Sequence, residues 1–92
     1  MIYFSRGLAH HELKAYERAI ADYGRALALD PADASATYNT ACAFALLDDA
    51  GMACQWLAKA IELDTKYRSM AREDGDFDGI RGEVCFRALV GE

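Results

Sequence analysis

The chain repeats itself. Moved by 34 residues with no gap, it lays Ala9 on Ala43, Leu13 on Leu47, Ala19 on Ala53, Ala26 on Ala60, Leu29 on Leu63 and Asp30 on Asp64. Phe4 with Tyr38, Gly7 with Ala41, Tyr23 with Leu57, Arg25 with Lys59 and Leu27 with Ile61 are conservative matches in the same register. A repeat of this period is one supersecondary unit, unable to bury its apolar face alone, that stacks against its neighbour to make a continuous core.

Local patterning says what the unit contains. Glu17 to Leu29 sets Ala19, Ile20, Tyr23, Ala26 and Leu27 on one stripe at helical spacing, and places Glu17, Arg18, Asp22 and Arg25 on the opposite face. That helix should stop at Asp30, because Pro31 disfavours helical dihedrals in the residue before it. Asp33 can then cap the next helix by accepting from its open N–H groups. The same reasoning predicts helices from Ile2 to about Leu13, from about Ala34 to Leu47 and from about Ala50 to Leu63, with a turn at Asp48 and Asp49. An Ala-rich composition with few Val and Ile agrees with helices rather than strands.

The bulk properties narrow the partners. At 92 residues and 53% hydrophobic content the chain can build one core. Fifteen acidic against ten basic residues, a net charge of -5, argue against nucleic acid or an anionic membrane as partner and favour a basic one. No apolar run approaches the roughly 20 residues of a membrane span, and Met1 is followed by neither a basic leader nor a signal-peptide core. The expectation is a soluble, cytoplasmic protein. Cys42, Cys54 and Cys85 are odd in number and form no CxxC pair, which suggests small core residues kept as thiols in a reducing compartment.

Tyr3, Gly7, Ala19, Tyr23, Ala26 and Pro31, together with the run YERAIADYGRALALDP from Tyr16 to Pro31, resemble the tetratricopeptide repeat (TPR) family. In the second unit Ala41, Ala53, Leu57 and Ala60 hold the corresponding places. Three positions depart from the pattern: Lys14-Ala15 replaces a Gly-containing turn, Thr37 replaces the first aromatic, and Thr65 stands where proline would end the second unit. The resemblance implies an all-α fold in which helical hairpins stack as a short right-handed solenoid. Its parts are repeat 1 at 1–33, repeat 2 at 34–67, and a degenerate third repeat or capping segment at 68–92, together one domain over 1–92. The stretch REDGDFDGIRGEVCFRALV is similar to the closing segment of bacterial TPR arrays, with Phe77, Ile80, Phe86, Leu89 and Val90 covering the last hairpin. Lys66 to Glu73 and Glu83 to Val90 are predicted helices, broken between by Gly75 and Gly79.

The resemblance also implies a concave groove that binds a peptide or a partner's helix. By unit position its wall is Phe4, Leu8, His11 and Glu12 from the first repeat and Tyr38, Asn39, Cys42 and Ala45 from the second. The basic clamp by which some TPR proteins hold a chaperone's C-terminal carboxylate is missing: Asn39 alone matches it, Phe4 and Leu8 stand at two of its places, and Ser69 and Glu73 occupy its third-repeat places. The wall is largely apolar and suits an amphipathic or hydrophobic segment. A competing reading covers Phe4, Leu8 and Tyr38 with the chain's own tail or a second copy, because two repeats are fewer than the three a solenoid usually needs.

Chemistry-bearing motifs are sparse. Asp74, Asp76, Asp78 and Gly79 open like a calcium loop, but Cys85 stands where its bidentate carboxylate belongs and Arg81 where an aliphatic residue is usual. His10, His11 and Glu12 do not extend to HExxH, since residue 14 is Lys. No GxSxG or phosphate loop is present. Trp56 is expected to have an exposed or half-buried packing role. The sequence therefore points to a non-catalytic protein-interaction module without cofactor. Its alternatives are a self-associating piece of a longer array and, behind it, a calcium-binding tail loop.

Overall fold

A computed structural model describes residues 2–91; Met1 and Glu92, the outer bounds of the expected domain, lie outside the described residues. The chain is all-α: α1 Ile2–Glu12, α2 Tyr16–Leu29, α3 Ala34–Leu46, α4 Ala50–Leu63, α5 Lys66–Glu73 and α6 Val84–Val90, with a 3₁₀ segment at Gly75–Ile80. Helices pack as adjacent antiparallel pairs, α1 on α2, α2 on α3 and α3 on α4, consistent with stacked TPR hairpins. The tail then folds back, α5 and α6 against α4 and the 3₁₀ segment against α3.

Small residues set the helix spacing. Ala19, Ala41, Ala53 and Ala60 are fully buried, and Ala26 nearly so. The closest approach is Gly7, where a Cβ would lie 2.6 Å from Tyr23 Cε1, so the ring of Tyr23 rests on bare backbone. In the second unit the equivalent places hold Ala41 and Leu57, a larger residue facing a smaller one, and both lie in the core. Pro31 is exposed, and its part is to end α2.

The period is visible in the backbone. Lys14 and Asp48, 34 residues apart, both adopt left-handed conformations with φ of 63° and 61°. These are the turn positions that glycine fills most easily, and a side chain there costs roughly 1–2 kcal/mol. Asp30 and Asp64, also 34 apart, both break the helix in extended backbone while their N–H groups donate to Ala26 O and Ala60 O. Each carboxylate then accepts from the N–H two residues on, Ala32 or Lys66. The second unit thus makes the same corner with Thr65 in place of proline, because an aspartate can form the turn by itself. Asp33 caps α3 as expected, accepting from Ala36 N at 3.1 Å, and Asp49 caps α4 through Met52 N.

Three expectations are corrected. Asp22 is not on a solvent face: it is 2% exposed, because Arg6 from α1 grips it through Nε at 3.0 Å and Nη2 at 2.8 Å while Arg25 closes from the next turn at 2.8 Å. Its helical position looks outward only if α1 is ignored. The cysteines are not all thiols: Cys54 of α4 and Cys85, on α6, form a disulfide across 31 residues, and Cys42 alone remains a buried thiol. Pairing was invisible from spacing because the contact arises when α6 packs on α4. Gly75 and Gly79 do not simply break structure, since both lie inside the 3₁₀ segment, which needs only short i→i+3 bonds.

The tail carries its own part of the core. Tyr67, Ala71, Phe77, Ile80, Phe86 and Val90 are buried and continuous with α3 and α4, with Leu89 half-buried beside them. Arg68 and Arg72 donate to Leu89 O and Val90 O, satisfying carbonyls that the end of α6 leaves open. Gly91 ends that helix at φ 84°, a conformation glycine takes without strain.

Two measurements check this packing. Ala19→Leu and Ala53→Leu should each overpack a fully buried site and lower unfolding free energy by about 1–3 kcal/mol in chemical denaturation. Asp22 also writes a pH dependence, because its hydrogen bonds with Arg6 hold its carboxyl down to about 2, with Arg25 adding to the effect and burial opposing it. A folded-state value below the unfolded one, about 4, means that this stabilisation is complete above that value and disappears as pH falls toward 2. The melting-temperature difference between wild type and Asp22→Asn should therefore shrink across that window.

Candidate functional site

The face expected to form the groove is carried by α1 and α3, and its two halves differ. In the first half Phe4 and Leu8 are half-buried, the ring of Phe4 lying 5.9 Å from that of Tyr23, and Glu12 is exposed. Phe4 also borders a small apolar hollow with Ile2, Tyr3, Ala26 and Leu29. His11 faces inward at the end of α1. Its Nδ1 is 3.2 Å from the Tyr23 hydroxyl, its Nε2 is 3.2 Å from Asp76 Oδ2, and Tyr16 packs edge-on against the ring at 5.4 Å.

The second half is covered by the chain's own tail. Tyr38 stacks on Tyr67 at 4.6 Å, meets Phe77 edge-on at 5.8 Å, and donates its hydroxyl to Asp74 Oδ2 at 2.7 Å. Phe77 continues to Phe86 at 5.2 Å. Cys42 and Ala45 are buried beneath this layer, and the Cys42 thiol donates to Asp74 Oδ2 at 3.8 Å. Asn39 turns back to its own helix, donating from Nδ2 to Ser35 O at 2.8 Å. Of the eight residues expected on the wall, Tyr38, Cys42 and Ala45 thus lie under the tail, while Phe4, Leu8, His11 and Asn39 are partly accessible and Glu12 is open.

Tyr67 and Phe77 occupy that half, so for Tyr38 the competing reading of a covering tail holds, although neither residue was named for the wall. The signal available for Phe77 was an apolar pair, Phe77 and Ile80, in an otherwise acidic, Gly-rich stretch.

The three aspartates of the calcium-loop alternative are divided. Asp74 and Asp76 turn inward to Tyr38 and His11, whereas Asp78 turns outward to Arg81 Nε at 2.7 Å. The Arg81 guanidinium also donates to Arg72 O and Asp74 O, both at 2.7 Å, so an arginine closes the end of α5. Donor atoms of Cys42, Asp74 and Asp76 lie within 4.8 Å of one another, and His11 adjoins them through Asp76.

Burial, then the charges of Asp74 and Asp76, push the Cys42 thiol well above its ordinary value. Burial is also the main cause that raises the Tyr38 and Tyr23 hydroxyls. A nucleophilic cysteine needs the opposite shift, so Cys42 is not activated for covalent catalysis.

Outside this face, His10 leans toward Asp22 at 3.5 Å, as a rim imidazole. Trp56 is half-buried, with Lys59 Nζ 5.1 Å from its ring. Among the described residues no helix is long and apolar enough to cross a membrane.

Comparison with known proteins agrees with the first hairpin. The family model described as Tetratricopeptide repeat matches residues 1–33, the span of α1, α2 and the corner at Pro31. No curated protein gives a significant match to the chain. A repeat of this kind implies a protein-interaction module in general and is typically non-catalytic. Ungapped period, paired left-handed turns and the Gly7–Tyr23 contact all converge on the same unit: residues 1–33 are a tetratricopeptide repeat.

Proposed function

We propose that the chain binds a peptide or a partner's helix on its concave face, without catalysis, and that the half lined by Phe4, Leu8, His11 and Glu12 receives it. The observation that carries this reading is the division of the face. One half already seats a short helical segment, with Phe77 against Tyr38, and the adjoining half leaves apolar and polar side chains accessible in line with it. A partner segment laid along α1 would meet Phe4 and Leu8 with its apolar side. The net charge of -5 favours a basic flank on that segment. The absent basic clamp makes a bare carboxylate terminus a poor ligand.

The competing reading is self-association through exposed apolar residues at the first hairpin's outer edge, where Ile2 and Leu29 are 72% and 75% exposed. Both readings are separated by site-specific photo-crosslinking in extract of the source cell, with the crosslinker at position 8 and a control at position 18 on the outer face of α2. The expected result is one foreign protein captured at position 8 alone, with affinity lowered about tenfold or more by Glu12→Lys when its segment is basic. Capture only of a second copy of the chain, or equal capture at positions 8 and 18, contradicts it.

A further inference from the structure

We propose that His11, Cys42, Asp74 and Asp76 form a tetrahedral site for a divalent transition metal of the zinc class, built where the two hairpins and the tail meet. The donors come from three separate segments. His11 Nε2 ends α1, Cys42 Sγ lies inside α3, and the two carboxylates flank the start of the 3₁₀ segment. Tetrahedral bonds of about 2.0–2.3 Å put ligand atoms about 3.3–3.8 Å apart. The His11–Asp76 and Cys42–Asp74 separations are 3.2 and 3.8 Å, and the three Cys and Asp donor atoms all lie within 4.8 Å of one another. His11 Nε2 adjoins this trio through its 3.2 Å approach to Asp76 Oδ2, and closes on the other two donors as the ion binds.

Charge points the same way. Among the ion pairs of the described residues, Asp76 is matched only by His11 and Asp74 by none. Arg81 is next to them in sequence, yet its side chain is engaged by Asp78 and by backbone carbonyls. Two partly buried carboxylates and a buried thiol thus converge with one imidazole as the sole side chain able to offset them, and a dication would correct that imbalance.

The surroundings match what a ligand set requires. A metal-bound imidazole is oriented through its other ring nitrogen, and His11 Nδ1 faces the Tyr23 hydroxyl at 3.2 Å. Asp74 Oδ2 is steadied by the Tyr38 hydroxyl, and Asp74 Oδ1 accepts from Asp76 N, which fixes the two carboxylates relative to each other. The donor set also names the metal class. Thiolate and imidazole with carboxylates select zinc or cobalt, whereas calcium needs six to eight oxygens and Asp78 has turned away to Arg81. On binding, the ion displaces the Cys42 thiol proton to solvent and forms the metal–sulfur bond, with no change of oxidation state.

Cobalt(II) is the probe. It is titrated into the chelator-stripped 92-residue chain under non-reducing conditions, with the Cys54–Cys85 disulfide intact, and followed by absorption. One equivalent should give a thiolate-to-cobalt charge-transfer band with the intense visible bands of tetrahedral cobalt, and zinc should bleach both. Cys42→Ser should lose the charge-transfer band. His11→Gln and Asp76→Asn should weaken binding at least tenfold, and Asp78→Asn should bind like wild type. Circular dichroism establishes that each variant folds. Tyr23→Phe keeps every donor yet removes the contact to His11, and should weaken binding about 10–100-fold. No charge-transfer band up to millimolar cobalt, an unchanged band in folded Cys42→Ser, or calcium bound as tightly as zinc would overturn the proposal.

Discussion

Tyr38 is the residue on which the two parts of this molecule depend. It belongs to the repeat by its place on α3, and to the tail by every strong contact its side chain makes. The ring stacks on Tyr67 and meets the edge of Phe77, arrangements worth about 0.5–1.5 kcal/mol each beyond the area they bury. A buried hydroxyl must find a partner, and this one donates to a carboxylate, the stronger kind of hydrogen bond. The same carboxylate accepts from Cys42 and from Asp76 N through its two oxygens. One side chain therefore fixes where the 3₁₀ segment lies, which half of the concave face is filled, and where the acidic groups of the tail point.

What the repeat imposes is simpler. The two helices of each hairpin can approach this closely because the contacting positions hold Gly or Ala, with a larger partner opposite, Tyr23 over Gly7 and Leu57 in the equivalent place of the second unit. The corners repeat as faithfully as the helices, although their residues do not: Lys14 and Asp48 share a left-handed backbone, and Asp30 and Asp64 share a helix stop. Backbone geometry is kept while the residue that achieves it changes, from proline at the first corner to aspartate alone at the second.

These features explain which parts were legible in the sequence. Helices and their ends could be read because they follow from patterns a few residues long, such as the Ala and aromatic stripe of α2, the cap at Asp33 and the turn at Asp48 and Asp49. Asp22, the Cys54–Cys85 pair and the seat of Phe77 could not, because each is decided by a partner at least sixteen residues away. The wall of the concave face was readable by repeat position, yet the period says nothing about the tail, where it decays. The three aspartates show the same limit: one short acidic run reads as a loop for a single ion, while in the fold Arg81 takes one carboxylate outward and Tyr38 and His11 hold the other two inward.

The seating of the tail on α3 is the central claim, and proton–proton contacts in solution test it most directly. In nuclear Overhauser spectra of the 92-residue chain, the ring protons of Tyr38 should show cross-peaks to those of Tyr67 and Phe77, with the amide of Phe77, which donates to Asp74 O, protected from hydrogen exchange. Absence of these cross-peaks, together with exchange of the tail amides at the rate of an unstructured peptide, would mean that the second half of the concave face is open, and would contradict this account of the molecule.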